Sequence, residues 1–294
     1  MTEEKRGLRW GIERRLEFLE FRLYWQGRVN RADLVGQFGI SSQQASTDFS
    51  RYQEMAPDNI RYDGSEKTYV AADGFAPILY TPDSESYLSQ LRLVSEGVMK
   101  PEDLWMAPVP AFDAVPIPRR RVDPARLRSV VKAVNAGHKV EILYQSMSRP
   151  EPGWRWVTPH ALGFDGFRWH VRALCHIDMA FKDFLLPRIL DVGASEPYPL
   201  DPGLDREWNM WTTLEIGPHP ALTPGQRTAV ETDYGMEGGR LEVATRLAFV
   251  YYVKKRLGLD VDPALRKPQD QQVVLLNGAE VDAAFAAAHR GEEA

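Results

Sequence analysis

The chain has 294 residues, enough for two or three domains that each bury a core, and its hydrophobic (44%) and charged (26%) fractions are those of an ordinary globular protein. No apolar run is long enough to cross a bilayer, and the charged opening MTEEKRGLRWGIERR lacks the apolar centre of a secretion signal. A formal net charge of −5 gives no bulk attraction to nucleic acid or lipid, so any DNA contact has to come from a local patch, and a single cysteine, Cys175, excludes a disulfide framework and points to a cytoplasmic home.

Three blocks are separated by proline-rich seams near residues 76–86, 106–118 and 195–205. The domains expected from these seams are 1–80, 119–200 and 201–294, with 81–118 as a linker. In the first block, Leu8, Ile12, Leu16, Leu19 and Leu23 recur at helical spacing. Leu34, Val35 and Phe38 then fit a short helix ending at Gly39, and Ser41 caps the next, with Gln44 placed to complete a capping box. Ala45, Phe49 and Tyr52 fall on the inner face of that second helix. Helix, glycine turn and capped helix form a helix-turn-helix, and the hairpin signal at Asp63-Gly64 adds a wing. The exposed side of the second helix offers Ser42, Gln43, Gln44, Ser46, Thr47, Ser50 and Arg51 for base edges and phosphates, flanked by Arg28, Arg31, Arg61 and Lys67. A generic helical pair with a polar surface would share part of this pattern. Within the linker, ESYLSQLRLVSEG predicts one bridging helix with Tyr87, Leu88, Leu91 and Val94 on a face.

The second block opens with a basic helix, RRRVDPARLRSVVKAVNAG, beginning at Arg119. Four short strand-like runs follow (KVEILYQSM, WRWVTPHALGF, RWHVRALC and FKDFLLPRILDV), which predict a small, bent antiparallel sheet or barrel with a turn at Asp165-Gly166. Alternation puts Arg168, His170 and Arg172 on one face of the third run, opposite Phe167, Trp169, Val171 and Ala173. Tyr144, Ser146, His160 and Arg188 can join them if the strands close on one another. Such a set suits a phosphate, a carboxylate or a nucleotide. A solvated polar face on a half-covered sheet carries the same pattern. The third block mixes strand (WTTLEIGPH, the start of RLEVATRLAFVYYVKKRLGL, QQVVLLNG) with a helix started by Thr223 and Pro224.

Catalytic, metal and cofactor signals are missing. Cys175-His176 has no second Cys/His pair at ligand spacing, no glycine-rich phosphate loop occurs, and Ser146 with His160 lacks a glycine elbow or an orienting acid. The reading is therefore a non-enzyme with no cofactor.

The run from Leu143 to Ile189 resembles the WYL domain, whose name-giving triplet reads Trp169-His170-Val171 here. PHAL and RWHVRA, with IGPHPALTPGQRTAVETDYGM further on, are similar to the branch of bacterial phage-defence repressors that includes BrxR and CapW. The resemblance implies an α+β chain: an N-terminal winged helix-turn-helix, a central Sm/SH3-like WYL β-barrel and a small C-terminal α+β dimerisation domain. It implies a ligand pocket at Tyr144, Ser146, His160, His170, Arg172 and Arg188, with Arg168 added by strand alternation alone. Its expected partners are a double-stranded operator with an inverted repeat, a second copy of the chain, and an anionic ligand such as a nucleic acid or nucleotide. The alternative is an accessory subunit that senses nucleic acid for a partner defence enzyme.

Overall fold

The computed structural model describes residues 10–116, 118 and 120–290, so Leu8 and Arg119 of the helical readings lie outside the described residues. The chain divides into two compact units, residues 1–117 and 118–294.

In the first unit, α1 (Trp10–Gln26) buries Leu16, Phe18, Leu19 and Leu23. A two-residue strand, β1 (Arg28–Val29), leads to α2 (Arg31–Phe38). Here Asn30 and Asp33 form a reciprocal capping box, and Gly39 closes the helix with φ 63°, a conformation that suits glycine. The hydroxyl of Ser41 accepts the N–H of Gln44 to start α3 (Ser42–Met55). The return half of that cap is not made, because the Gln44 amide donates to Asp48 at 3.1 Å instead. Ala45, Phe49 and Tyr52 fill the inner face of α3. The wing consists of β2 (Ile60–Asp63) and β3 (Thr68–Ala71), with β1 paired to the other edge of β3.

One buried carboxylate fixes the chain after the wing. Glu20 is fully buried on α1 and accepts the Tyr52 hydroxyl and the backbone N–H groups of Ile78, Leu79 and Tyr80. An acid in a core persists when its lone pairs are satisfied this completely. The next helix, α4 (Ser84–Ser95), packs Tyr87, Leu91 and Val94 against Phe21 and Met106 in the first unit, whereas Leu88, read onto the same face, is exposed.

The second unit begins with α5 (Pro124–Ala136), capped by Asp123 and closed by Gly137. Five antiparallel strands follow: β4 (His138–Tyr144), β5 (Gly153–Phe164), β6 (Trp169–Cys175), β7 (Ala180–Leu185) and β8 (Ile189–Pro197), in the spatial order β7-β6-β5-β4-β8. The run FKDFLLPRILDV is two strands, because Pro187 has no N–H to give and Leu186–Arg188 turn as a 3-10 helix. That turn joins opposite edges of the sheet. In a flat five-stranded sheet those edges would stand about 19 Å apart. The step from Leu185 to Ile189 reaches at most about 14 Å. The sheet is therefore strongly bent, with its two edge strands not paired to each other. Inside the bend lie Val140, Ile142, Val157, Val171, Ala173, Phe184 and Ile189, with Val130 and Ala133 of α5.

The C-terminal part sets β9 (Trp211–Pro218), after the single turn α6 (Arg206–Asn209), between β10 (Leu241–Arg246) and β11 (Val273–Leu275). Helices α7 (Pro224–Asp233), α8 (Leu247–Leu257) and α9 (Gly278–His289) cover this sheet around Leu214, Ile216, Leu247, Val273 and Val281. Thr223 and Gln226 make a complete capping box with Pro224 at the first position of α7. The alanine-rich α9 has no apolar stripe to announce it and was not foreseen. Among the described residues, no helix is long and apolar enough to cross a membrane.

Candidate functional site

The first candidate surface is the outer side of α3 with the wing. Ser42, Gln43, Thr47 and Ser50 are exposed, and Gln44, Ser46 and Arg51 are half-buried. Arg31 on α2 reaches across to the Ser46 hydroxyl at 3.3 Å, which places a guanidinium beside the helix face. Arg28, Arg61 and Lys67 are exposed on the three-stranded wing, and Lys67 holds a left-handed turn with φ 52°. Behind this face, Arg15 of α1 grips buried Asp48 through two bonds of 2.6 and 3.1 Å. The Gln44 amide bonds the same carboxylate. The arrangement gives a rigid helix with a polar outer row and cations on both flanks, as insertion into a major groove requires.

The seven residues read onto one polar pocket in the second block divide between two places. Tyr144, Ser146 and Arg188 line one recess of about 270 Å³, together with Arg149, Arg155, Lys182 and the carboxylates of Asp178 and Asp183. Tyr144 belongs to the core by its ring, which meets Phe184 edge-on, while its hydroxyl accepts the N–H of Leu185. The Ser146 hydroxyl pairs with that of Ser148 at 2.8 Å. Arg155 was not foreseen. It is 8% exposed, its guanidinium lies 5.4 Å from the Tyr144 ring centroid, and its Nε has no partner. The signal was present in the alternation of β5, which sets a charged residue in register with inward Val157 and Pro159.

His160, Arg168, His170 and Arg172 are not in that recess, because carboxylates already hold them elsewhere. His170 and Arg172 are 2% and 4% exposed, because α6 and α8 cover the polar side of β6; on the other side Val171 and Ala173 are buried in the bent sheet, whereas Phe167 and Trp169, read onto the same apolar face, are exposed. Arg172 donates Nε and Nη2 to the two oxygens of Asp205 at 2.7 and 2.9 Å, Nη2 also to Glu207 at 3.0 Å, and Nη1 to Asp183 at 3.4 Å. His160 bonds Asp205 at 2.9 Å. His170 bonds Asp165 at 3.0 Å, as does Arg168 at 2.8 Å, and its ring lies 4.8 Å from that of Tyr252.

Burial alone would raise the Asp205 carboxyl, but Arg172, His160 and the Trp208 N–H outweigh it and hold the group at about 2. Asp165 is likewise held at about 2, where hydrogen bonds from His170, Arg168 and two backbone N–H groups overcome burial. Asp183 goes the other way: burial pushes it up despite Arg172 and the Tyr252 hydroxyl. It faces the recess on one side and Arg172 on the other, so one carboxylate belongs to both places.

Comparison with known proteins agrees with this layout. Residues 11–93 match the winged helix-turn-helix domain of the BrxR transcriptional regulator, residues 125–193 the WYL domain, and residues 211–281 the BrxR C-terminal dimerization domain. The DNA-binding transcriptional repressor CapW of Stenotrophomonas maltophilia is 39% identical over 276 residues, covering 93% of this chain and 92% of that protein. CapW of Escherichia coli strain KTE188 is 38% identical over 283 residues, with 94% and 93% covered. CapW of Pseudomonas aeruginosa is 38% identical over 286 residues, with 95% and 94% covered. Identity at this level across nearly the full length of each, on a winged helix with a cation-flanked polar face, means that the chain belongs to the CapW family of DNA-binding transcriptional repressors.

Proposed function

We propose that two copies of the chain, paired through the C-terminal domain, bind an inverted repeat upstream of a phage-defence operon in the cytoplasm and repress it. The reading residues are Ser42, Gln43, Gln44, Ser46, Thr47 and Arg51, with Arg31, Arg61 and Lys67 on the backbone. The recess between β4, β5 and β7 takes the inducing ligand, an anion of nucleotide or short nucleic-acid type. Arg155 carries this part of the reading: a guanidinium that lines the recess without a hydrogen bond or salt bridge among the described residues, beside Arg149, Lys182 and Arg188, suits negative charge. Asp183 is the route outward, since a ligand that changes its charge or position alters the bond to Arg172 and so the hold on Asp205 and Glu207. The ligand acts only if it binds the two states of the repressor with different affinity.

Footprinting tests the first half: a palindromic duplex upstream of a defence operon is protected, and a sequence-independent footprint would favour an accessory nucleic-acid sensor instead. For the second half, operator binding is titrated with short single-stranded oligonucleotides and nucleoside triphosphates. Arg155→Met keeps operator affinity within about twofold and removes the response to whichever of these shifts the wild type. Loss of operator binding in the variant would make Arg155 a structural residue only.

A further inference from the structure

The C-terminal sheet has a strand edge to spare. In its order β10-β9-β11, β10 (Leu241–Arg246) pairs with β9 on one side and with no strand among the described residues on the other. Hydrogen bonds fix which of its groups face outward. On β9, the Glu215 carbonyl accepts the Leu276 N–H, the Glu215 N–H donates to the Asn277 side chain at 3.0 Å, and the Thr213 carbonyl accepts the Asn277 amide at 2.9 Å. These residues turn their backbone toward β11. Thr212, Leu214 and Ile216 therefore turn theirs toward β10, where they stand opposite Thr245, Val243 and Leu241. By the same alternation, Glu242, Ala244 and Arg246 direct their backbone away from the sheet. Exposed edges of this kind are commonly blunted by lysine, proline or a bulge. The strand LEVATR has none of the three, and its register with β9 is unbroken.

The charges on this edge select what fits it. Glu242 and Ala244 are exposed and Arg246 is half-buried. Glu242 stands opposite Glu215, whose carboxylate Arg240 already holds at 2.9 Å, so Glu242 meets a like charge and, among the described residues, forms no ion pair. Arg246 gives Nη1 to the Trp208 carbonyl and lies over the rings of Trp208 and Trp211, and no carboxylate among the described residues pairs with it. Glu242 precedes Ala244 by two residues and Arg246 follows it by two. When two copies of β10 meet antiparallel about Ala244, the Glu242 of each faces the Arg246 of the other. Centring the pair on Glu242 or Arg246 sets like charges face to face, which is destabilising. Centring it on Val243 or Thr245 sets Glu242 or Arg246 against Ala244 and forms no ion pair between them. The strand is complementary to itself in one register, as a two-fold contact requires.

We propose that β10 of one copy pairs with β10 of a second, antiparallel and centred on Ala244, which joins their two three-stranded sheets into one. The two Ala244 residues exchange both backbone bonds, the Arg246 N–H donates to the carbonyl of the partner's Glu242, and two ion pairs flank the centre. This rests on the reading that the chain pairs through its C-terminal domain, and it names the contact.

Sedimentation of the full-length protein tests the pairing itself: the wild type runs as a dimer, and a monomer would overturn both the pairing and this contact. Disulfide trapping tests the register. The natural Cys175 is buried, so a cysteine placed on β10 is the reactive thiol. At Ala244 the two Cα atoms stand about 5.5 Å apart, within bridging range, and at Glu242 about 15 Å apart, well beyond it. Under mild oxidation Ala244→Cys runs as a linked dimer on a non-reducing gel and Glu242→Cys does not. Glu242→Arg, at an exposed position, raises the dimer dissociation constant about tenfold, because it meets the partner's Arg246. A wild-type dimer in which Ala244→Cys stays unlinked, Glu242→Cys links as readily, or Glu242→Arg pairs as tightly would overturn the proposal while leaving the pairing in place. Should Glu242→Arg fail to fold, the two cysteine variants decide alone.

Discussion

Gln44 and Arg51 both project from the second helix of the helix-turn-helix, and they differ in what else they do. The Gln44 amide is tied to Asp48, which Arg15 holds from the first helix, so Gln44 contributes to the joint between α1 and α3. Arg51 makes no hydrogen bond or ion pair among the described residues and is free for a base or a phosphate. Arg51→Ala is expected to cost about 1–3 kcal/mol on the cognate operator and less on random DNA, with the unfolding midpoint unmoved. Gln44→Ala is expected to lose operator affinity together with about 0.5–1.5 kcal/mol of stability, seen in urea titrations run beside the binding assay. Equal losses of Arg51→Ala on both DNAs would remove it from base reading.

At the scale of elements, the packing of α8 on the sheet turns on one glycine. Gly163 on β5 sits where an added Cβ would meet the Phe249 ring at 2.7 Å. Gly163→Ala should therefore lower the stability of the second unit by about 1–3 kcal/mol in chemical denaturation, because the ring and the helix that carries it have to shift. The polar side of β6 predicts a pH response. Asp165 and Asp205 titrate at about 2 in the folded chain, below the ordinary carboxylate value of 3.8, so their charged forms favour folding. Their contribution is complete above about pH 4 and is lost as pH falls toward 2; Asp183, raised by burial, offsets part of the loss. The unfolding midpoint should hold steady above pH 5, fall below pH 4, and fall less steeply in Asp205→Asn. The helix-turn-helix was legible in the sequence because its signals are local: a serine cap, a left-handed glycine, and Ala45, Phe49 and Tyr52 at helical spacing. The strands were legible from alternation. What alternation could not show is what lies over a strand. The partners of Arg172 come from the adjacent strand and from Asp205 and Glu207, 33 and 35 residues along the chain, and no local pattern announces such a pairing. Arg155 was hidden differently, as a charge in an apolar register.

For the whole molecule, a net charge of −5 gives no bulk attraction to DNA, so in the proposed complex the second head adds to a first contact that is weak by itself. Two heads on one duplex, as proposed, fix the distance between half-sites. Inserting five base pairs between the halves of the operator should reduce affinity by about tenfold or more in mobility-shift assays, since it turns one half to the opposite side of the helix, and a ten-base-pair insertion should harm less. Indifference to both insertions would mean that the heads act independently. The ties of Arg172 to Asp183, Asp205 and Glu207 carry a consequence for inheritance. Losing Arg172 leaves the buried Asp205 carboxylate without its two-pronged partner, and losing Asp205 takes from the buried Arg172 its two shortest bonds, so a lone substitution at either is selected against even where the fold could otherwise tolerate it. Lineages descended from a common ancestor should keep these positions together or exchange them together, and an aligned set of genes will show them covarying as a block.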